Sequence, residues 1–417
     1  MTFDNYNKVL LPTTREDLII RGASGAEVQV DDGSEEKWVV DATSQVGTNP
    51  LGHRNEEILA VMEELHSREE EPLMIAGNDF YHEYQRELGE KFTEIFPGDQ
   101  ALGDVKAYYC NSGSEAVERG CLKAAQLYQG GNTYVGFYNG FHGRTSLALS
   151  CNFSKAEQTE GFNSLFRALP VPYAEHRFDS QECIDQLEEQ IVREGPENVN
   201  AVIIEPVQGE GGYIVPHDDF LPGVRRVTEE HDVPLVMDEV QASLRTGEWF
   251  ACENWDVEPD MISVAKAFSG GITPFGAALI RDEFATEEHG KHSSTFGGNP
   301  QDCFAALKTI EIIQENDHLA NARRMGHHLE KAWRDLEDSD IVVEERGIGV
   351  MRGIEFKTAS ARDHVLQRLF EEYDILSTAV GNDQYNPSIR FLLPVNVEKE
   401  TVDRIATGVV QAVNDVR

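Results

Sequence analysis

A lysine and an aspartate each stand at the end of a short apolar run near the middle of the chain. Asp238 follows residues 234–237, and Lys266 follows residues 261–265. In open parallel sheets ligands collect beyond the carboxyl ends of the strands, so both side chains would face one pocket. A lysine in a desolvated pocket loses proton affinity and becomes an amine nucleophile. The pair therefore favours Schiff-base chemistry at Lys266, although a strand-end lysine taken alone more often reaches solvent or pairs with a carboxylate.

Two small, hydroxyl-rich segments could bind a phosphate group. Ser112, Gly113 and Ser114 open a helical stretch, and the free N–H groups and dipole of a helix N-terminus favour an anion. A second segment of this kind could add a ligand through Thr295. The alternatives are a serine N-cap with nothing bound for the first segment and an ordinary loop for the second.

Residues 140–145 bring an aromatic ring, a flexible turn and an arginine together after a strand-like run. Phe141 could stack on a planar ring, and Arg144 could bind a carboxylate in bidentate fashion. Glu205 ends a further apolar run, 201–204, in the same way as Asp238 and Lys266 end theirs. Alone, a phenylalanine is more often core and an arginine more often solvated, so these residues gain meaning only in combination.

The elements that must position these residues alternate between strands and helices. Apolar runs of strand length lie at 134–138, 201–204, 235–237 and 262–265, and amphipathic helical stretches separate several of them. This alternation predicts an α/β protein with a doubly wound, mainly parallel sheet.

Both ends of the chain have a different pattern from the middle. After residue 303 the sequence predicts helices at 304–316 and 318–336, strands at 349–356 and 389–393, and a final helix from Lys399. Near the N-terminus, strand-like runs at 27–30 and 38–41 flank a hairpin turn signal. We therefore predict a large domain over residues 52–302 and a smaller α+β domain built from residues 1–51 and 303–417.

The composition limits partners and compartment. The 74 acidic and 36 basic residues give a formal net charge of -38, spread along the chain, which would repel nucleic acid and anionic membranes. This charge suits solubility in concentrated salt, so a halophilic host is predicted, with an ordinary acidic cytosolic protein as the alternative. The sequence has no secretory leader pattern or long apolar run, and its six cysteines lack metal-site spacing. We expect a cytoplasmic protein with reduced cysteines and no bound metal.

Seven motifs in register resemble the class III aminotransferases, which are pyridoxal-5'-phosphate (PLP) enzymes of fold type I. The motifs are NSGSEA (111–116), GFHGRT (140–145), EPVQGEGG (205–212), MDEVQ (237–241), AKAFSGG (265–271), STFGGNP (294–300) and IRFLLP (389–394). Their order and spacing fit from about residue 20 to the C-terminus. The resemblance implies a PLP-dependent aminotransferase with a mixed, mainly parallel sheet, acting as a homodimer with shared active sites or as a higher oligomer.

The resemblance also implies cofactor roles. Lys266 would be the Schiff-base lysine and, once freed, would shuttle the proton between the substrate carbon and the cofactor. Asp238 would keep the pyridine nitrogen protonated, which makes the ring an electron sink. The other implied cofactor-binding residues are Phe141 and Val240 on the ring faces, Gln241 at the phenolic oxygen, Gly113 and Ser114 at the phosphate together with Thr295 of the neighbouring subunit, and Ser112, His142 and Glu205 around them.

Four residues resemble the family's substrate-binding positions. Arg390 would bind the α-carboxylate, and Glu210 would mask it while an ω-amine donor binds. Arg144 would bind a distal carboxylate, and Val46 stands in the substrate pocket where isoleucine is common. They predict an ω-amino acid donor, with 4-aminobutyrate as the best substrate and 2-oxoglutarate as acceptor in a ping-pong reaction. Ornithine, N-acetylornithine, lysine and other ω-amines stay open, because one methylene is worth only about 1 to 3 kcal/mol in discrimination.

Some positions depart from the family's pattern. Ser114 stands where threonine is common, and the loop 242–244 is one residue shorter than usual. Ala267 and Ser293 each replace a glycine that is common in the family. These changes leave the PLP-binding pattern intact and bear mainly on the choice of substrate.

Other functions remain as alternatives. A racemase, aminomutase or decarboxylase could use the same electron sink, and loss of the amino group that depends on a keto acid would distinguish a transaminase from them. A non-catalytic regulator would have no need for Asp238, Lys266 and both phosphate segments together. An acidic docking surface for a basic partner or for divalent ions is disfavoured by the even scatter of charge.

Overall fold

The computed structural model describes residues 17–162, 166–286, 288, 290–382 and 385–416. Residues 1–16 of the predicted small-domain segment lie outside the described residues.

The N-terminal half contains the elements that surround most of the candidate residues. In chain order they are β1 (Ile19–Ser24), β2 (Glu27–Asp31), β3 (Glu36–Asp41), α1 (Glu56–Ser67), α2 (Glu83–Ile95), β4 (Val105–Cys110), α3 (Gly113–Glu115, a π-helical stretch Ala116–Leu122, and Lys123–Gln129), β5 (Thr133–Phe137), α4 (Ser146–Ser150), α5 (Ala156–Thr159), β6 (Arg167–Val171), α6 (Ser180–Glu194) and β7 (Val199–Ile204).

The remaining elements complete the large sheet and contribute strands to two smaller sheets. They are α7 (Phe220–Glu230), β8 (Leu235–Asp238), β9 (Met261–Ala265), β10 (Gly276–Arg281), α8 (Pro300–Glu315), α9 (His318–Trp333), β11 (Val342–Ile348), β12 (Met351–Phe356), α10 (Ala359–Glu372), β13 (Ile375–Leu376), β14 (Thr378–Asn382), β15 (Tyr385–Leu392) and α11 (Lys399–Asp415).

A seven-stranded sheet in the order β4-β10-β9-β8-β7-β5-β6 forms the centre of the fold. Strands β9, β8, β7, β5 and β6 are parallel, whereas β10 is antiparallel to both β4 and β9. Every residue of β5, β7, β8 and β9 is buried, as expected when helices cover both faces of a parallel sheet. The predicted α/β fold with a mainly parallel sheet is thus confirmed.

The three strands that the sequence pattern missed lie at the sides of this sheet. Strand β10 reads Gly-Ala-Ala-Leu-Ile-Arg, and glycine and alanine carry a weak strand signal. Strands β4 and β6 mix exposed or half-buried positions with buried ones, so neither reads as a continuous apolar run.

Two four-stranded sheets, β1-β2-β3-β13 and β11-β12-β15-β14, make up the rest of the β structure. The predicted hairpin is present, because β2 pairs antiparallel with β3. Strand β13 pairs in parallel with β3, where Ile375 faces Val40. The two ends of the chain therefore share a sheet, while the domain limits near residues 52 and 302 stay a prediction.

Local signals explain where several C-terminal elements begin and end. Helix α8 starts earlier than predicted because the Asn299 side chain accepts from Asp302 N at 3.1 Å and Pro300 occupies the first turn. Strand β12 starts at Met351, later than predicted, because Gly349 lies in the β11–β12 turn with φ +55°.

The six cysteines are buried and unpaired, as expected for reduced, structural cysteines. Among the described residues, no helix is both long and apolar enough to cross a membrane.

Candidate active site

A cavity of about 430 Å³ lies beyond the carboxyl ends of the central strands β7, β8 and β9. Most of the residues predicted for the site line it. They are Ser112, Gly113, Ser114, Phe141, His142, Arg144, Glu205, Glu210, Asp238, Val240, Gln241 and Lys266.

Asp238 is the last residue of β8, and its carboxylate is fixed from three directions. It is 4% exposed. His142 Nδ1 lies 2.8 Å from Oδ2, while Ser263 Oγ and Val240 N donate to Oδ1 at 3.1 and 3.2 Å. Because a carboxylate only accepts hydrogen bonds, Nδ1 of His142 is the donor in this contact. The other ring nitrogen, Nε2, is buried without a partner among the described residues. The structure therefore aims an oriented, buried carboxylate into the cavity.

Lys266 directly follows β9 and opens the 3₁₀ turn Lys266–Ser269. Its φ is +41°, a left-handed conformation that is rare outside glycine, asparagine and aspartate. Burial lowers the pKa of Lys266 to about 8, against the opposing attraction of Asp238 and Glu210. The side chain is thus an amine with a sizeable neutral fraction near neutral pH, as a nucleophile requires.

Glu205 follows β7 and joins two segments of the cavity wall. Its carboxylate accepts from Phe141 N at 2.9 Å and from Gly209 N at 2.8 Å. Burial raises the pKa of Glu205 to about 7. The contact holds the Phe141 ring and the start of the loop that bears Glu210 at a constant separation.

The first phosphate candidate lies where the sequence placed it, at the start of α3. Ser112 is the N-cap, and its Oγ accepts from Glu115 N at 3.3 Å. Ser114 Oγ accepts from Arg144 N at 3.1 Å. A Cβ on Gly143, whose φ is +132°, would lie 2.4 Å from Ser114 Oγ, so this glycine is what lets the 140–145 turn reach α3.

Arg390 and Glu210 form an ion pair at the cavity wall. Arg390 Nη1 donates to Glu210 Oε1 and to Gly209 O, both at 2.9 Å. Glu210 lines the cavity, whereas Arg390 lies behind it and is 6% exposed. Burial opposes ionisation of Glu210, but Arg390 and Lys155 outweigh it and lower the pKa of Glu210 to about 2. The carboxylate therefore covers the arginine, as the predicted masking requires.

Arg144 lies across the cavity with its guanidinium free for a ligand. Its Cζ is 5.0 Å from the centre of the Phe141 ring. Among the described residues no carboxylate forms an ion pair with it. The cavity thus presents one uncovered arginine and one covered arginine.

Two further predicted residues are not among those that line this cavity. Val46 is 48% exposed in a left-handed turn, with φ +60°. Thr295 is exposed and does not line the cavity of its own chain. Whether it reaches the cavity of a neighbouring subunit stays a prediction.

Comparison with known proteins agrees with this geometry. The family model for aminotransferase class-III matches residues 12–413. The chain belongs to the class III aminotransferases. Archaeal acetylornithine aminotransferases are among its relatives, and that of Methanocaldococcus jannaschii is 31% identical over 96% of this chain and 94% of its own.

Another relative is named for a different amine. A putrescine aminotransferase of Pectobacterium atrosepticum is 30% identical over 92% of this chain and 80% of its own. The omega transaminase of Pseudomonas jessenii, solved in complex with PMP, has a TM-score of 0.89 at 24% identity and covers 100% of this chain and 98% of its own. The present chain is therefore a PLP-dependent enzyme of this family. Its relatives are named for different substrates.

The residues of this class III aminotransferase fit the cofactor. A Cβ on Gly113 would lie 2.8 Å from a Val240 methyl group, so the glycine lets the start of α3 approach Val240 closely. Gln241 Oε1 is buried without a partner among the described residues, and Asp238 is a buried, oriented carboxylate. A planar ligand with a basic ring nitrogen at Asp238 and a hydroxyl donor at Gln241 Oε1 would satisfy these two groups.

Three of the residues that reasoning from sequence missed bear directly on the site. Ser263 orients Asp238 from the neighbouring strand, and its only sequence signal was a hydroxyl inside an apolar run. Thr48 lines the cavity but stands in a segment without a motif. Lys155 donates to Glu210 Oε2 at 2.8 Å, and nothing in its surrounding sequence marked it.

Proposed function

We propose that the enzyme transfers the terminal amino group of N-acetylornithine to 2-oxoglutarate. The observation that carries this proposal is the Glu210 carboxylate, which lies over Arg390 at the cavity wall. With Arg390 covered, a donor is held by Arg144 through its own carboxylate, and its distal amine faces Lys266. When Glu210 moves, Arg390 can bind the α-carboxylate of 2-oxoglutarate.

The state of the Arg390 guanidinium supports this exchange. Its Nε is buried without a partner among the described residues, so the group has spare donors for a carboxylate. Charge-assisted hydrogen bonds of an arginine to a carboxylate contribute about 1.5 to 3 kcal/mol each. A carboxylate that binds Nε and the adjacent Nη2 side by side would therefore form two such bonds, compared with the one that Glu210 forms with Nη1.

The proposed chemical roles are those that the family resemblance implies, and the positions of the residues along the cavity support them. Lys266 attaches the cofactor and, when released, moves a proton to or from the substrate carbon. Asp238 pairs with the pyridine nitrogen, with His142 and Ser263 holding its orientation. Phe141 and Val240 flank the ring, and Gly113 and Ser114 bind the phosphate. When bound, PLP supplies an electron sink for negative charge on the substrate carbon.

N-acetylornithine is preferred to 4-aminobutyrate because of the relatives. The archaeal proteins that match nearly the whole chain are acetylornithine aminotransferases. The uncovered Arg144 would accept the carboxylate of either donor, so the arginine itself does not choose between them. The choice depends on the length and shape of the pocket between Arg144 and Lys266.

The experiment is to record the visible absorbance of the PLP-loaded enzyme in high-salt buffer after adding single donors. N-acetylornithine, ornithine, 4-aminobutyrate, lysine, putrescine and alanine are compared. We expect N-acetylornithine to bleach the cofactor band fastest and 2-oxoglutarate to restore it. Faster bleaching by 4-aminobutyrate would overturn the donor assignment, and a band that no donor bleaches would favour the racemase or decarboxylase alternative.

We also propose a homodimer with shared active sites. Support comes from Thr295, which belongs to a hydroxyl-rich segment but is exposed and does not line its own cavity. Sedimentation should give twice the chain mass, and Thr295→Ala should weaken PLP affinity. A fully active monomer would contradict the proposal.

A further inference from the structure

The Glu210 carboxylate has a second cationic partner besides Arg390. Lys155 Nζ lies 2.8 Å from Oε2, while Arg390 holds Oε1. The two cations therefore bind different oxygens of one carboxylate. The Glu210 side chain is 18% exposed and that of Lys155 is 35% exposed, so the lysine is the more exposed partner.

Lys155 follows a segment that is hydrogen-bonded to the turn at residues 139–142, which carries Phe141 and His142. Phe153 N donates to Gly140 O at 3.0 Å, and Asn139 N donates to Phe153 O at 3.2 Å. Asn152 Oδ1 accepts from His142 N at 2.6 Å. These contacts tie the segment before Lys155 to the large sheet, whereas Arg390 belongs to strand β15 of a separate sheet.

The backbone of the loop that carries Glu210 is held in place on the Arg390 side. Gly209 O accepts from Arg390, Gly212 O accepts from Arg346 Nε at 3.0 Å, and Asn386 Nδ2 donates to Gly211 O. Movement of Glu210 off Arg390 is therefore a movement of its side chain. A carboxylate that leaves Arg390 in this half-buried place needs another cation, because an unpaired buried charge is costly.

We propose that Lys155 is a positioning residue that keeps the Glu210 carboxylate paired while Arg390 exchanges it for the α-carboxylate of a keto acid or α-amino acid. The inference rests on the proposed function, in which Glu210 masks Arg390. Lys155 thereby favours the unmasked state and lowers the KM of the half-reaction that uses Arg390. The half-reaction with the ω-amine donor does not need the exchange.

The experiment measures single-turnover half-reactions by the cofactor's visible absorbance, with the PLP-loaded enzyme for the two amino donors and the aminated, PMP-loaded enzyme for 2-oxoglutarate. N-acetylornithine is the ω-amine donor, L-glutamate the α-amino acid, and 2-oxoglutarate the acceptor. The variants are Lys155→Met, Lys155→Arg, Glu210→Ala and the double variant Lys155→Met/Glu210→Ala. Lys106→Met is the matched control, because it removes a lysine whose ion pair with Asp282 is exposed.

We expect Lys155→Met to raise the half-saturation concentrations for L-glutamate and 2-oxoglutarate about tenfold, and to leave that for N-acetylornithine within about twofold. Lys155→Arg should restore both, because it keeps the charge. In the Glu210→Ala background the Lys155→Met effect should vanish, and Lys106→Met should change nothing.

Three results would overturn the role of Lys155. An equal loss in both half-reactions together with a lower Tm would make it structural. A rise confined to N-acetylornithine would make it a ligand of the donor's carboxylate. No change in Lys155→Met, while Glu210→Ala still shifts the balance between donors, would leave the mask standing without a role for the lysine. If Glu210→Ala also shifts nothing, the mask itself fails and the proposed function fails with it.

Discussion

Two parts of the cavity wall are held in different ways. We call the part around Asp238 the cofactor end and the part around Glu210 the substrate end. At the cofactor end, Asp238 closes a fully buried strand and is fixed by His142, Ser263 and a backbone N–H. At the substrate end, Glu210 stands on a loop and is held by ion pairs with Arg390 and Lys155. The contacts of Asp238 belong to one buried network, whereas in the proposed function Glu210 exchanges its partners.

This difference matches what each end has to do. The cofactor is the same in both half-reactions, so a preorganised carboxylate in a buried site acts without rearrangement. The substrate end has to accept a donor and an acceptor with different charges, so a side chain that can move gives the required change. A substitution at the cofactor end should therefore lower the rates of both half-reactions. A substitution at the substrate end should change one half-reaction more than the other.

The largest expected effect is at Lys266. Lys266→Ala removes both the covalent attachment and the proton carrier, so the rates of both half-reactions should fall on the order of 10⁴-fold. PLP should still bind through Asp238 and the start of α3. Borohydride reduction followed by mass spectrometry should label the unaltered enzyme at Lys266 and leave the variant unlabelled; labelling of another lysine would refute the assignment.

Asp238→Asn should come next in size. Loss of the charge opposite the ring nitrogen should slow both half-reactions by about 10² to 10³-fold, similar to the loss of one preorganised electrostatic group. Stopped-flow absorbance gives both rates. Ser263→Ala is the matched smaller change and should cost about tenfold, since a hydrogen bond to a charged group contributes about 1.5 kcal/mol at the low end of its range. A loss limited to one substrate would contradict the common role of this end.

Arg390→Lys should separate the half-reactions. A lysine keeps the charge but loses the planar fork, so the KM for 2-oxoglutarate should rise about 30-fold while that for N-acetylornithine changes little. Arg144→Lys is the companion variant and should raise the KM for both. Equal KM changes in Arg390→Lys would show that donor and acceptor use this arginine alike.

The pH dependence of cofactor capture is a smaller effect at the fixed end. The neutral amine attacks the aldehyde, and burial lowers the pKa of Lys266 to about 8. The rate of PLP uptake by the cofactor-free enzyme should therefore rise about tenfold per pH unit below pH 8 and level off above it. A rate that keeps rising through pH 10 would indicate an ordinary, solvated lysine.

The cofactor end was largely predictable from the sequence. Asp238, Glu205 and Lys266 each follow a buried parallel strand, and the carboxyl ends of such strands meet at one edge of the sheet. Strand β10 was not predicted, because its glycine and alanine residues give only a weak strand signal. The close approach of Gly113 to Val240 depends on side-chain packing, which a sequence pattern does not show. The family resemblance predicted both residues at the cofactor, but not their contact.

The substrate end was less predictable because its contacts join distant segments. The pairing of Arg390 with Glu210 came from the resemblance, and the contact with Lys155 depends on how the 150–155 segment folds back over the loop. The exposed positions of Val46 and Thr295 show that part of the predicted site lies outside the cavity of the single chain.

The most direct test of the central claim is the donor preference of Glu210→Ala in single turnover. If Glu210 masks Arg390, the ratio of kcat/KM for L-glutamate to that for N-acetylornithine should rise about tenfold, because Arg390 is then open to α-carboxylates at all times. The cofactor band should keep its position. If both donors slow by the same factor and the ratio stays unchanged, Glu210 does not act as a mask and the two-ended account is wrong.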